Sequence, residues 1–206
     1  MKKILMIIMM AIVVSTTVSA QFSLAPKAGV NFKKLNFEDD YMTSNLEPGF
    51  TFGAMGEVML GKSGLALDIS LMYSKEYFYP QVTGQNDRPN YDFTTDYLNI
   101  PVNLKWKISI PAISNVVKPM VYTGPEMSFV LKETIDRDFY QKKTIHFCWN
   151  IGAGVELFNK WQIAAHYGIG LTNCLTKVKY QPWMMMDVKA KQQYAVVTIA
   201  YLFSLL

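Results

Sequence analysis

The sequence predicts an all-β chain: a single eight-stranded antiparallel up-and-down transmembrane β-barrel, preceded by a cleaved signal peptide. Apolar and polar residues alternate with a period of two in eight separate segments, the pattern of strands whose successive side chains point to opposite faces. Tight turns and long polar connections follow one another along the chain, as periplasmic turns and extracellular loops do in transmembrane barrels. Half of the residues are hydrophobic and only 17% are charged, against roughly 25% charged in an ordinary soluble domain.

These totals also set limits. A length of 206 residues fits one domain. An aromatic content of 14% excludes a disordered chain, which lacks the apolar surface to offset its ordering entropy. Two cysteines cannot form a disulfide framework. Of the formal charge of +4, Lys2 and Lys3 supply two units, and no basic run follows them, so no nucleic-acid partner is implied.

Residues 1–20 read as a signal peptide. Lys2 and Lys3 precede an apolar stretch from Ile4 to Val14, and Val18-Ser19-Ala20 forms a small-residue cleavage site. The apolar stretch is too short for a membrane-spanning helix, which needs about 20 residues. Cleavage after Ala20 leaves residues 21–206 as the barrel domain. No cysteine follows the cleavage site to carry a lipid anchor.

The first strand alternates Ala28, Val30 and Phe32 with Lys27, Gly29, Asn31 and Lys33. The second alternates Phe50, Phe52, Ala54, Val58 and Leu60 with Thr51, Gly53 and Glu57. In the third, Leu65, Leu67, Ile69, Leu71 and Tyr73 oppose Asp68, Ser70 and Ser74, and in the fourth Leu98 to Trp106 oppose Asn99, Asn103, Lys105 and Lys107. The fifth sets Val121, Thr123, Met127, Phe129 and Leu131 against Tyr122, Gly124, Glu126 and Ser128. The sixth, Thr144 to Leu157, is the cleanest: every odd position from Ile145 is apolar, while the even set is Thr144, His146, Cys148, Asn150, Gly152, Gly154 and Glu156. Trp161 to Ile169 opposes Gln162, His166 and Gly168 in the seventh, and Ala195 to Leu205 opposes Gln192, Tyr194, Thr198 and Ser204 in the eighth. Segments 61–64 and 158–160 are tight turns, whereas 34–48, 78–93, 132–142 and 175–190 read as long loops. The link from Ser109 to Val117 is intermediate in length.

The composition of the two faces decides which one meets lipid. The apolar sets carry essentially no charge, as a lipid-facing band requires. The opposite face is rich in Gly, Ser and Asn and carries Lys27, Glu57, Asp68, Lys105, Lys107, Glu126 and Glu156, a candidate lumen charge network. A soluble lipocalin-like barrel in the periplasm has the reverse arrangement, with its apolar face around a ligand. Trp106, Trp149, Trp161, Phe158, Tyr73, Tyr77 and Phe78 fall near strand ends, where interfacial girdles belong.

Several stretches resemble one known family. They are Ala28-Gly29-Val30-Asn31-Phe32, Tyr97 to Lys105 (YLNIPVNLK), Tyr122-Thr123-Gly124-Pro125 with Ser128-Phe129, and Asn150 to Glu156 continuing to Tyr167 to Asn173. On these the chain resembles the PorT-like outer-membrane β-barrel family of Gram-negative bacteria, over nearly all of residues 21–206. The resemblance implies residence in the outer membrane. The family's namesake is associated with a protein-secretion and gliding apparatus, while most members of the family have no assigned activity.

Other patterns have simpler readings. Gly56 to Ser63 matches the phosphate-loop spacing, but that motif needs a strand, a loop and then a helix, and here strand alternation continues on both sides. Gly152-Ala153-Gly154 lacks the third glycine and the following helix of a dinucleotide site. His146, Cys148, His166 and Cys174 share the lumen side, but a barrel wall disperses them along its axis, against the convergence that zinc needs. With the turn centred near Asn159, Cys148 faces position 170, which leaves Cys174 too far along the strand for a disulfide. Asp39, Asp40, Asp87, Asp92, Asp96, Asp136 and Asp138 read as solvated loop carboxylates. Tyr77, Phe78, Tyr79, Tyr91 and Phe93, and Trp183 with Met184, Met185 and Met186, offer anchors for a partner or for the outer leaflet.

The expectation is therefore a noncatalytic outer-membrane barrel with a side-chain-filled lumen, without catalytic residues, cofactor or metal. It acts as a structural or partner-binding envelope component. Its partners are outer-membrane lipid, the barrel-assembly machinery during insertion, and an envelope or secretion protein. Two other classes compete: a narrow channel for ions or small solutes, and the soluble ligand-binding barrel.

Overall fold

The computed structural model describes residues 21–37, 42–44, 47–61, 63–78, 80–82, 93–111, 113–134, 140–142, 144–181 and 184–204. The predicted signal peptide lies outside them, as do Asp39, Asp40, Asp87, Asp92, Asp136, Asp138, Tyr79, Tyr91, Trp183 and Leu205. The side chains of Phe78, Phe93, Cys174, Met184, Met185 and Met186 also lie outside the description.

In chain order the described strands are β1 (Phe22–Phe37), β2 (Met42–Ser44), β3 (Glu47–Met59), β4 (Leu65–Phe78), β5 (Pro80–Val82) and β6 (Phe93–Lys107). They continue with β7 (Val117–Glu133), β8 (Tyr140–Lys142), β9 (Ile145–Leu157), β10 (Trp161–Gln181), β11 (Met184–Tyr201) and β12 (Phe203–Ser204). Eight of them form a closed antiparallel ring in the order β1, β3, β4, β6, β7, β9, β10, β11, and β11 returns to β1. The closing register pairs Lys27 with Ala200, Gly29 with Thr198 and Asn31 with Val196. After Leu202, β12 resumes the pairing with β1 through Leu24 and Phe203. Closure leaves the eight-stranded ring without a free edge strand among the described residues, the condition for a sheet to cross lipid.

The period-two pattern sorts the side chains in the inside-out sense. Phe52, Ile69, Leu71, Trp106, Ile151 and Ile163 are exposed on the outer wall, whereas Asn31, Glu57, Asp68, Lys105, His146 and Asn150 are buried inside. This is the reverse of a soluble ligand-binding barrel, so the lipocalin-like alternative falls. Polar groups on the wall are satisfied internally: the Trp149 indole N–H donates to Thr123 Oγ1 at 2.9 Å, and that hydroxyl donates to the Asn150 carbonyl at 2.8 Å. Near the short-turn end Tyr201 meets Trp161 and Phe203 edge-on, each with ring centroids 4.8 Å apart. Toward the other end Phe50, Phe52 and Tyr73 cluster. These are the two aromatic belts of a membrane wall.

The turns at one end are short. Leu60 N–H donates to Leu65 O, and Gly61 and Gly64 adopt φ of 74° and 81°, which places Gly56 to Ser63 on a strand and its hairpin turn rather than on a phosphate loop. Phe158 and Asn159 both have positive φ, matching the twist that a tight hairpin requires. The intermediate link is a wound turn, in which Ser114 N–H donates to Ile110 O and Val117 N–H to Ile113 O.

At the opposite end the structure corrects the long-loop reading. Residues 175–190 are mostly strand: β10 and β11 continue as a hairpin in which Lys177 faces Asp187 and Val178 faces Met186. β8 pairs along the other side of β10, with Lys142 facing Leu175, to make a three-stranded ribbon. Pairing of β10 with β9 stops at Gly170, so β10 runs eleven residues further, about 36 Å at the usual strand rise. The sequence of residues 175–190 shows no sustained period-two alternation, which is why the loop reading missed these strands. Likewise β1 extends to Phe37, and β2 and β5 pair with each other within the first two connections.

Candidate functional site

The lumen holds most of the buried polar chemistry of the chain. An eight-stranded barrel is just wide enough for its interior to be filled by side chains. Glycines make room for the larger ones. A Cβ on Gly168 would lie 2.1 Å from Tyr194 Cζ, and one on Gly152 would lie 2.5 Å from Tyr122 Cζ. Each tyrosine ring thus lies over the glycine that faces it on the neighbouring strand, Tyr194 over Gly168 and Tyr122 over Gly152.

Toward the short-turn end, charges form one layer. Lys105 Nζ donates to Glu57 Oε2 at 3.0 Å and to Gln162 Oε1 at 2.9 Å. It also sits 2.8 Å from Asp68 Oδ2, outside hydrogen-bond geometry for that oxygen. Lys107 bonds both Glu57 and Glu156, the latter at 2.5 Å. Gln162 Nε2 donates to Glu57 Oε2 and Glu156 Oε2, both at 3.0 Å. Ser70 Oγ donates to Asp68 Oδ1 at 3.0 Å, and Lys118 lies 3.8 Å from Glu156 Oε1. Three lysines therefore meet three carboxylates, drawn from β3, β4, β6, β7 and β9, with β10 adding Gln162. The remaining strands, β1 and β11, supply Ala25 and Ala200 to an apolar cluster at this end, which Met55 of β3 and Leu202 just after β11 complete.

The other half of the lumen is polar but less densely ion-paired. Glu126 accepts from Asn150 Nδ2 at 2.8 Å and from Ser128 Oγ at 3.3 Å. Tyr194 OH donates to Asn150 Oδ1 at 2.9 Å. Tyr122 OH and His166 Nδ1 are 3.3 Å apart. Lys33 pairs with Glu76 and lies 4.2 Å above the Tyr97 ring, which in turn meets His146 edge-on. Buried charges of this kind are tolerated only when paired and hydrogen-bonded.

Of the seven lumen charges singled out in the sequence, Glu57, Asp68, Lys105, Lys107 and Glu156 come together in the ion-paired layer, whereas Lys27 and Glu126 lie apart from it. Sequence reasoning missed Glu76 and Lys118. Both follow from carrying the period-two phase of β4 and β7 beyond the strand ends drawn from sequence. His146, Cys148 and His166 line the lumen but have different neighbours, and no group of three or more metal-ligating side chains converges among the described residues. Cys148 pairs with Gly170, and Cys174 is four residues beyond that partner, about 13 Å along the strand.

Several solved structures are similar to this chain. The outer membrane protein OprG from Pseudomonas aeruginosa aligns with a TM-score of 0.56 at 8% identity, covering 91% of this chain and 98% of that one. Neisserial surface protein A gives a TM-score of 0.48 at 13% identity, covering 90% and 99%. Ail, the attachment invasion locus protein of Yersinia pestis, gives 0.45 at 13% identity, covering 89% and 99%. No match to a curated protein sequence was found. A family model described as "Outer membrane protein beta-barrel domain" matches residues 16–176, most of the chain. With the closed ring, the apolar wall and the charged interior, that match establishes that the chain belongs to the outer membrane protein β-barrel family.

Proposed function

We propose that the protein is a noncatalytic, non-conducting outer-membrane barrel that presents its extracellular ribbon to another envelope component. The observation that carries this reading is the ion-paired layer around Lys105 and Lys107, which reaches into the interior from six of the eight wall strands, while β8, β10 and β11 continue as a ribbon past the β9–β10 pairing. A filled lumen supplies rigidity, and a ribbon whose β10 strand runs about 36 Å past its last pairing with β9 offers strand backbone to a partner. The resemblance to PorT-like barrels makes a secretion-associated protein the partner class to test first. Export by residues 1–20 and insertion by the barrel-assembly machinery belong to the same reading.

The test joins two measurements on the same barrel. In a planar bilayer, with insertion confirmed by a fluorescent label, the expected result is silence; reproducible openings would replace this reading with a narrow channel. In intact cells, a photo-crosslinker at residues of β10 beyond Gly170 is expected to form one discrete adduct that is missing when the label is moved to Ile151 on the lipid wall. Monomer alone from every ribbon position would overturn the partner-binding role.

A further inference from the structure

We infer that the half of the lumen away from the ion-paired layer is a built hydration site, in which one or two water molecules join the Lys27 ammonium, the Asn31 carboxamide and the Glu126 carboxylate. This deepens the filled-barrel reading and rests on it. Lys27 and Glu126 are each more than nine-tenths buried, and neither enters an ion pair among the described residues. Both line one cavity of ≈ 30 Å³, together with Asn31, Ser74 and Gln192. Asn31 is 4% exposed; its Nδ2 donates to Phe50 O at 3.4 Å, while its Oδ1 has no hydrogen-bond partner among the described residues.

The chemistry of these walls selects the occupant. A space holding one water takes about 10–15 Å³ by this measure, so the cavity suits one or two waters. A monatomic cation there would face the Lys27 ammonium, and a monatomic anion would face the Glu126 carboxylate and the Asn31 carbonyl oxygen. Water accepts from Lys27 and donates to both oxygens, so it satisfies all three groups at once. Toward the ribbon end the cavity reaches the Lys33–Glu76 pair. In the other direction the ion-paired layer and the cluster of Ala25, Met55, Ala200 and Leu202 stop it. The barrel is then wet on one side of a dry plug.

The test uses the folded 21–206 barrel in detergent micelles, with water itself as the probe. Nuclear Overhauser transfer from water is expected to reach the Asn31 side-chain amide but not that of Gln162 inside the ion-paired layer. Transfer to neither amide, or to both, would overturn the proposal. A crystal structure resolving waters should show density within about 3.2 Å of both Lys27 Nζ and Asn31 Oδ1. Density at that position should be lost in Lys27→Met while the Lys105–Glu57 contact persists. A direct Lys27–Glu126 ion pair, or an anomalous signal from a bound ion, would also overturn it. Bilayer openings from the same sample would sink the filled-lumen reading itself, whereas silence with no water transfer removes only the hydration site.

Discussion

Lys105 on β6 and Glu57 on β3 meet at 3.0 Å although β4 lies between their strands. The contact is made through the interior rather than along the wall, so it ties parts of the ring that share no backbone hydrogen bonds. Both side chains are almost fully buried, at 3% and 2% exposed. At such a site removing one partner strands the other charge, and the loss exceeds the net value of the pair.

Lys105→Met keeps an unbranched side chain one atom shorter and deletes its charge, leaving Asp68 with no lysine in its ion pair and Glu57 with Lys107 alone. The expected loss is about 3–5 kcal/mol of unfolding free energy, read by urea titration of the barrel folded in lipid. Adding Asp68→Asn should recover part of it, because the stranded carboxylate goes with it. An unchanged urea midpoint in the single variant would mean that the layer does not hold the barrel together.

The wall was legible in the sequence because lipid on one side and a polar lumen on the other impose opposite demands on adjacent residues. Ile151 and Asn150 could therefore be assigned to opposite faces without any structure. The tight turn centred near Asn159 also put Cys148 roughly opposite position 170, and the two are paired in the sheet. The long-range pairs were not legible. That Glu57 reaches Lys105 and Gln162, 48 and 105 residues away, depends on closure and on the stagger of the ring, which no local pattern records. The β10–β11 ribbon was hidden for a different reason, because residues 175–190 carry no sustained period-two alternation to mark them as strand.

Replacing a wall residue tests the direction of the barrel. Ile151 is 56% exposed on β9, opposite Tyr167 of β10. Ile151→Arg should destabilise the barrel in lipid by about 2–4 kcal/mol if the residue sits near the bilayer midplane. A soluble barrel would bear the same change with little effect, so a neutral result in lipid would count against the membrane-facing wall.

The glycine and tyrosine pairs in the lumen give a packing test. Gly168→Ala places a methyl group against the Tyr194 ring, which is held from the other side by its bond to Asn150. Overpacking of this kind typically costs about 1–3 kcal/mol. The double change Gly168→Ala with Tyr194→Leu should be less harmful than the two losses added together, since the shorter side chain relieves the clash. Strict additivity in the denaturation series would show that ring and glycine do not share one space.

The last prediction separates the scaffold from the working surface. Up to Gly170, β10 is paired on both sides within the ring, but beyond it the strand belongs to a ribbon held by β11 and β8. Replacing residues 175–190 with Asn-Gly supplies a two-residue hairpin turn that favours the positive φ such a connection requires. Because the ion-paired layer and the aromatic belt of Trp161, Tyr201 and Phe203 lie in the retained wall, the trimmed barrel should fold and keep its heat-dependent gel migration. Its unfolding free energy should stay within about 0.5 kcal/mol of the parent, as for surface changes remote from buried features. With the photo-crosslinker at Thr172, which trimming retains, the same variant should lose the adduct that the parent forms. If trimming instead abolishes folding, the ribbon is part of the structural core; if the adduct survives, the partner is bound elsewhere on the barrel.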